Sequence, residues 1–200
     1  MLGLPKNTEL NKHLPKKAIY TKFQMNTAEK EKIDKDISRI TIVNEVSPSK
    51  VSISEGKEVK AFFVMLVALK RKDFSEKTVA TLSKLIPQNL IMILQYESEA
   101  KLAIYRSKLL QTEWKPLGDL NIHLEGLNFD KAWENIIIQI GDLHIESGNS
   151  IDEQILIESQ KEKIKKEIEI LEKQARAEKQ PKKKFDLVKK IKEIEKNING

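Results

Sequence analysis

The spacing in this chain closest to bond-breaking chemistry is Glu58-Val59-Lys60, an acid, one residue and a lysine at the head of an apolar run that Lys70 closes. An acid and a lysine so placed can hold a divalent cation and activate a water against a phosphodiester. A second carboxylate must come from elsewhere, and Asp36 and Glu45 are the candidates. At the far end of the run Lys70 lacks its acid, because the residue two before it is Ala68. Three-letter matches of this kind arise by chance in a chain that is 33% charged.

Other reactive devices are missing or weak. His123-Leu124-Glu125 and His144-Ile145-Glu146 form two His-x-Glu units, preceded by Asp119 and Asp142. Alternation in a strand would put each His and Glu on one face, where a divalent metal could sit. The competing reading is the outward face of a half-buried strand, and it is preferred, so no metal or cofactor is expected. Gly56-Lys57 lacks the earlier glycine and the hydroxyl residue of a phosphate-binding loop, and there is no Gly-x-Ser-x-Gly elbow. With no cysteine there is no thiol nucleophile, thiolate metal site or disulfide. No catalytic set is legible.

Two stretches could face an anion. Lys16-Lys17-Ala18-Ile19-Tyr20-Thr21-Lys22-Phe23 interleaves cations with rings, as a surface does that sets lysines on a phosphate backbone and a ring on a base. The alternative is that Tyr20 and Phe23 are core and the lysines a solvated face. Lys182, Lys183 and Lys184, near Lys179, form a second basic run. The formal net charge of +6 is concentrated at the ends, with +4 over residues 1–27 and +3 over 151–200, leaving the middle near −1. A basic excess at the ends suits an acidic partner, nucleic acid included, and also suits solvated helices. Trp114 and Trp133 stand among aliphatics and read as core or rim packing.

These residues must be positioned by a mixed framework. Short helices are expected over 8–14 and 15–23, each after a Leu-Pro-Lys unit, with proline in the first turn. Residues 27–37 read as a helix capped by Thr27, 39–46 as a β-branched strand, and 51–54 as a shorter one. The run 59–69 is almost continuously apolar, as a strand buried on both faces is, and marks the centre of a sheet. A helix over 75–86 stopped by Pro87, a hairpin of 90–96 with 101–106, a weak strand or loop over 117–124 and a helix from Asp130 complete an α+β core over residues 1–148, a mixed sheet flanked by helices.

Gly148-Asn149-Ser150 marks a boundary, and 149–200 reads as a charged helical extension. Its apolar stripe runs through Ile164, Ile168 and Leu171, and beyond Pro181 through Leu187, Ile191 and Ile194. A narrow stripe buries against one other helix, so a hairpin or coiled coil within the chain and a helical interface with a partner both fit. Proline and charge interrupt the opening residues before any signal-like apolar run, and no stretch approaches the ~18 apolar residues of a membrane span. A cytoplasmic protein is expected, with no membrane partner.

The expected order of helix, three strands, helix, strand is that of the restriction-endonuclease-like nuclease core, an analogy of fold alone. Leu4-Pro5-Lys6 with Thr8-Glu9, Leu14-Pro15-Lys16-Lys17, Gly56-Lys57-Glu58-Val59 leading to Leu69-Lys70, and Glu178-Lys179-Gln180 with Lys183 resemble an uncharacterised bacterial domain-of-unknown-function family. Members of that family stand beside genes for helicases and DNA methyltransferases of restriction-modification and related defence systems. The resemblance implies an accessory role there and transfers no catalytic residue. The expected function is thus a non-enzymatic accessory or interaction protein partnered by a helicase or methyltransferase, or self-associating through its C-terminal helices. The alternative is a nucleic-acid-binding protein or an inactive or divergent nuclease.

Overall fold

The computed structural model describes residues 2–86 and 88–198, so the expected helix stop at Pro87 falls outside the described residues. The chain divides into two compact units, 1–144 and 145–200, four residues before the boundary expected from sequence.

The first unit is built on one mixed sheet. Its elements in order are β1 (Glu9–His13), α1 (Lys16–Lys22), α2 (Thr27–Asp36), β2 (Ile37–Val46), β3 (Phe62–Leu69), α3 (Glu76–Leu85), β4 (Leu90–Tyr96), β5 (Glu99–Arg106), β6 (Lys108–Gln111), β7 (Lys115–Pro116) and α4 (Phe129–Gly141). The strands lie in the order β1-β2-β3-β4-β5-β6, with β7 paired to the start of β5. Only β3 and β4 run parallel, joined through α3; the other neighbours are antiparallel.

The apolar run that sequence placed at the centre of the sheet is β3, and it is apolar on both sides because both faces are covered. Met65, Val67 and Leu69 belong to the cluster holding Ile33 of α2 and Val79 and Leu82 of α3. Phe62 meets Phe129 and Trp133 of α4, with ring centroids 6.1 and 5.5 Å away. The N-cap of α2 is Asn26 rather than the expected Thr27, which is the first helical residue, and Asn26 and Glu29 close a reciprocal capping box. The hairpin of β4 and β5 turns at Glu97, whose φ is +53°.

Several expectations are corrected. Residues 8–14 are not a helix: a 3-10 turn at Lys6–Thr8 leads into β1, which pairs with β2. Pairing to an open sheet edge outweighs a weak helical pattern, and buried Thr8 takes a hydrogen bond from Asn44 Nδ2 at 2.8 Å. Residues 51–54 form no sheet strand, only a single bridge from Ser54 to Asn128. The strand expected from Val59 begins at Phe62, because the Val59 N–H is bound to Asp130 instead. Residues 117–124 are a 3-10 turn, Leu117–Asp119, and coil. The short strands β6 and β7, too polar to stand out in sequence, extend the sheet. The expected order of helix, three strands, helix, strand is not found as such: β1 comes first, α1 and α2 separate it from β2, no strand stands between β2 and β3, and α3 and β4 follow.

The second unit is a pair of helices, α5 (Ile151–Ala177) and α6 (Pro181–Ile198). Ser150 and Glu153 form a capping box that starts α5. Leu171, Ala175 and Ile191 are buried, and Ile164, Ile168, Leu187 and Ile194 are half-buried. Lys190 reaches Glu167 at 3.2 Å, which fixes the two helices as an antiparallel hairpin.

Candidate nucleic-acid interface

The carboxyl ends of β3 and β4 open onto one edge of the first unit. In sheets with a parallel pair, the loops beyond those ends are where ligands are held. Here the loop from β3 to α3 carries Lys70, Arg71, Lys72 and Phe74; the antiparallel neighbours bring Asp36, the last residue of α2 just before β2, and Lys101 near the start of β5 to the same edge.

Two carboxylates organise one side of that edge. Asp36 is 1% exposed, yet its carboxylate is fully partnered. Arg71 donates to Oδ1 from Nε at 2.9 Å and Nη2 at 2.7 Å, while Oδ2 accepts the Ser75 N–H at 3.0 Å and the Thr78 hydroxyl at 3.1 Å. Burial pushes its pKa up, but the Ser75, Arg71 and Thr78 hydrogen bonds outweigh burial and hold it below the usual carboxylate range. Asp34, at the last turn of α2, binds the Lys16 ammonium and the Tyr20 hydroxyl, the latter at 2.8 Å. Its pKa is lowered chiefly by the Lys16 hydrogen bond, whereas burial and then Asp34 raise that of Tyr20. Lys70 donates to the Asp34 carbonyl at 2.5 Å. Lys16, Tyr20 and Lys70 were candidates on separate grounds, and the fold gathers them on one aspartate.

On the other side stands a cluster of cations and rings that sequence reading missed. Lys101 Nζ lies 5.1 Å from the ring centroids of both Phe74 and Trp114. Lys72 Nζ lies 5.3 Å from Trp114 and 2.5 Å from Glu99. The two rings meet edge to face at 6.5 Å. Rings hold the alkyl stems and attract the ammoniums, so these lysines are ordered in advance. Burial lowers the pKa of Lys101, against the pull of Glu76 and Glu113. A half-buried cation of this kind gains from an anion that supplies countercharge. Trp114 and Lys101 are 13 positions apart, and β6 and β7 must form before they meet, so local spacing carried no signal.

The remaining candidates lie elsewhere. Glu58 and Lys60 precede β3, at the opposite end from Lys70, and line an open cavity of about 480 Å³ with Gln88 and Asn89. There Lys60 pairs with Glu55 at 3.0 Å. Glu45 pairs with Lys50 at 2.7 Å. The acid and lysine positions of the expected nuclease set are therefore not gathered at one point. Lys17 is exposed, and Lys22 lies 5.4 Å from the Phe23 ring centroid. Lys182, Lys183 and Lys184 are exposed on the first turn of α6 in the second unit. His123 and His144 sit in coil, not in strands, and the backbone of His123 is bound by Gln139. Among the described residues no group of three or more His, Asp or Glu is gathered as a metal-ligand set, and no described helix is long and apolar enough to cross a membrane.

A family described as Domain of unknown function (DUF4391) matches residues 2–198. The chain belongs to that family. Comparison with curated proteins and with solved structures finds no match for this DUF4391 member. The match spans both units, so the sheet and the hairpin are parts of one DUF4391 domain.

Proposed function

We propose that this protein is an accessory, nucleic-acid-binding component that works in the cytoplasm beside a helicase or DNA methyltransferase of a prokaryotic defence system, and that it holds its ligand without cutting it. The observation that carries the reading is the placement of Lys101 and Lys72 against Phe74 and Trp114 at the carboxyl ends of β3 and β4. Ordered ammoniums supply contacts to phosphates, and displaced rings offer faces on which bases stack. Binding without cleavage is favoured because Asp36, one of the two expected second carboxylates, is already occupied by four donors. The protein partner would dock on the C-terminal hairpin, whose stripe leaves Leu156 and Ile170 exposed on α5.

The deciding experiment is a titration of labelled single-stranded and duplex DNA and RNA with the intact protein at two or more salt concentrations. Binding should weaken steeply with salt, and a Lys72→Ala/Lys101→Ala double variant should lower the slope of log K against log salt by about 1.4–1.8, roughly one released counterion per lysine. Absence of binding at low salt, or a slope unchanged in that variant, overturns the reading. Magnesium-dependent cleavage lost on Lys70→Ala would establish the nuclease alternative instead.

A further inference from the structure

The outward face of α6 is rich in lysine and carries an exposed aromatic ring. Over Pro181–Ile198 the helix has seven lysines against three acids, whereas α5 is nearly balanced. Leu187, Ile191 and Ile194 face α5, with Ile191 buried. Lys182, Phe185, Lys189 and Lys192 recur at spacings of three, four and three, which puts them in one row about half a turn away from that packed stripe. Lys183 and Lys184 fall on either side of the packed stripe and are not part of the row. Phe185 is 69% exposed in the middle of the row, with Val188 beside it at 37%. Lys189 makes a long ion pair with Glu193, at 3.9 Å.

We infer that this face of α6 is a second nucleic-acid contact, laid along a phosphate backbone. The inference rests on the reading of the protein as a nucleic-acid binder, but on residues of the other unit. Three ammoniums spread over ten residues span about 15 Å at 1.5 Å per residue, long enough to meet successive phosphates of one strand. The charge is of the right sign and lies along a single helix. Phe185 supplies a ring that packs on a sugar or an unstacked base. A membrane surface is the less suitable occupant, because an interfacial helix needs a broad apolar face and, among the described side chains, α6 offers outward only Phe185 and Val188.

The test uses the full-length protein with Lys182→Gln/Lys189→Gln/Lys192→Gln, compared with the same three positions as arginine and with Phe185→Ala. Affinity for a labelled duplex and a labelled single strand is measured across a salt series, alongside co-sedimentation with vesicles rich in phosphatidylserine. The glutamine variant should keep the helical signal near 222 nm, lose about tenfold or more in affinity at low salt, and show a log–log slope shallower by about 2–3. The arginine variant should bind as the unaltered protein does. If the glutamine variant binds with unaltered affinity and slope, while Lys72→Ala/Lys101→Ala weakens binding, the α6 contact is wrong and the sheet-edge reading stands. If the unaltered protein binds no nucleic acid, both fall. Vesicle binding lost in the glutamine variant, with nucleic-acid binding intact, assigns the face to a lipid surface and overturns the inference.

Discussion

Asp130, in the first turn of α4, accepts the backbone N–H of Val59 at 2.8 Å across 71 positions of sequence. The same carboxylate accepts the N–H groups of Lys57 at 2.7 Å and Glu58 at 3.1 Å, so three consecutive amides form a cradle around it. The hydrogen bond from Val59, with those from Lys57 and Glu58, holds the pKa of Asp130 below the ordinary carboxylate value despite partial burial. This contact stops β3 from starting three residues earlier and ties the long segment between β2 and β3 to the opposite helix layer. Replacing Asp130 with Asn leaves one acceptor oxygen for three donors. The Asp130→Asn protein should melt at a lower temperature at pH 7 than the unaltered protein, and a melting temperature unchanged by the substitution would refute the role.

The approach is too close for a side chain at Gly56. A Cβ there would stand 2.3 Å from Asp130 Oδ1 and 2.8 Å from the Asp130 backbone nitrogen. The backbone nitrogen cannot rotate away, so Gly56→Ala should destabilise the first unit by about 1–3 kcal/mol, the range for overpacking a filled site. Urea titration followed by tryptophan fluorescence reads this directly; a stabilised variant would contradict it.

Stability should fall in acid with a definite sign. Asp34, Asp36 and Asp130 all titrate below their ordinary value in the folded chain. Their contribution is therefore complete above the unfolded carboxylate pKa of about 3.9, and is lost as pH falls through the depressed folded values. Melting temperature should be nearly flat from about pH 7 to 5 and drop below about pH 4. In Asp130→Asn the acid drop should be shallower, which differential scanning fluorimetry across pH would show.

Removing the buried carboxylate at the sheet edge should cost more than removing the half-buried Glu45 near the far end of β2. Asp36→Ala strands the Ser75 amide, the Thr78 hydroxyl and one side of Arg71 in a site that is almost closed. A loss of about 2–4 kcal/mol follows from leaving buried donors and a charge without partners. Glu45→Ala, which breaks a half-buried, solvent-screened pair with Lys50, should cost no more than about 1 kcal/mol. Equal losses for the two variants would contradict this account of Asp36.

Nucleic-acid affinity should fall with rising pH earlier than for ordinary lysines. Burial lowers the pKa of Lys101, so its charge is lost at a pH where exposed lysines keep theirs. Titrations between about pH 7 and 9.5 should show weakening in the unaltered protein and a flatter profile in Lys101→Arg, whose guanidinium stays charged throughout. Identical profiles would remove Lys101 from the binding surface.

The sequence by itself determined the elements whose own residues carry their signal. β3 is apolar along its length, the hairpin of β4 and β5 has a polar turn between two β-rich runs, and the C-terminal helices repeat at threes and fours around Pro181. That the chain belongs to a domain-of-unknown-function family was also expected from sequence, on motifs spread from Leu4 to Lys183. Only the tertiary structure decided what depends on a distant partner. Residues 9–13 are a strand because the edge of β2 was open to them, and 51–54 are not one because Ser54 and the residues after it bind the start of α4. The convergence of Lys16, Tyr20 and Lys70 on Asp34, and of Lys72 and Lys101 on Trp114, was hidden for the same reason. A side-chain cluster drawn from four or five elements has no period along the chain; it exists only once hydrogen-bonded pairing has set the strands in register.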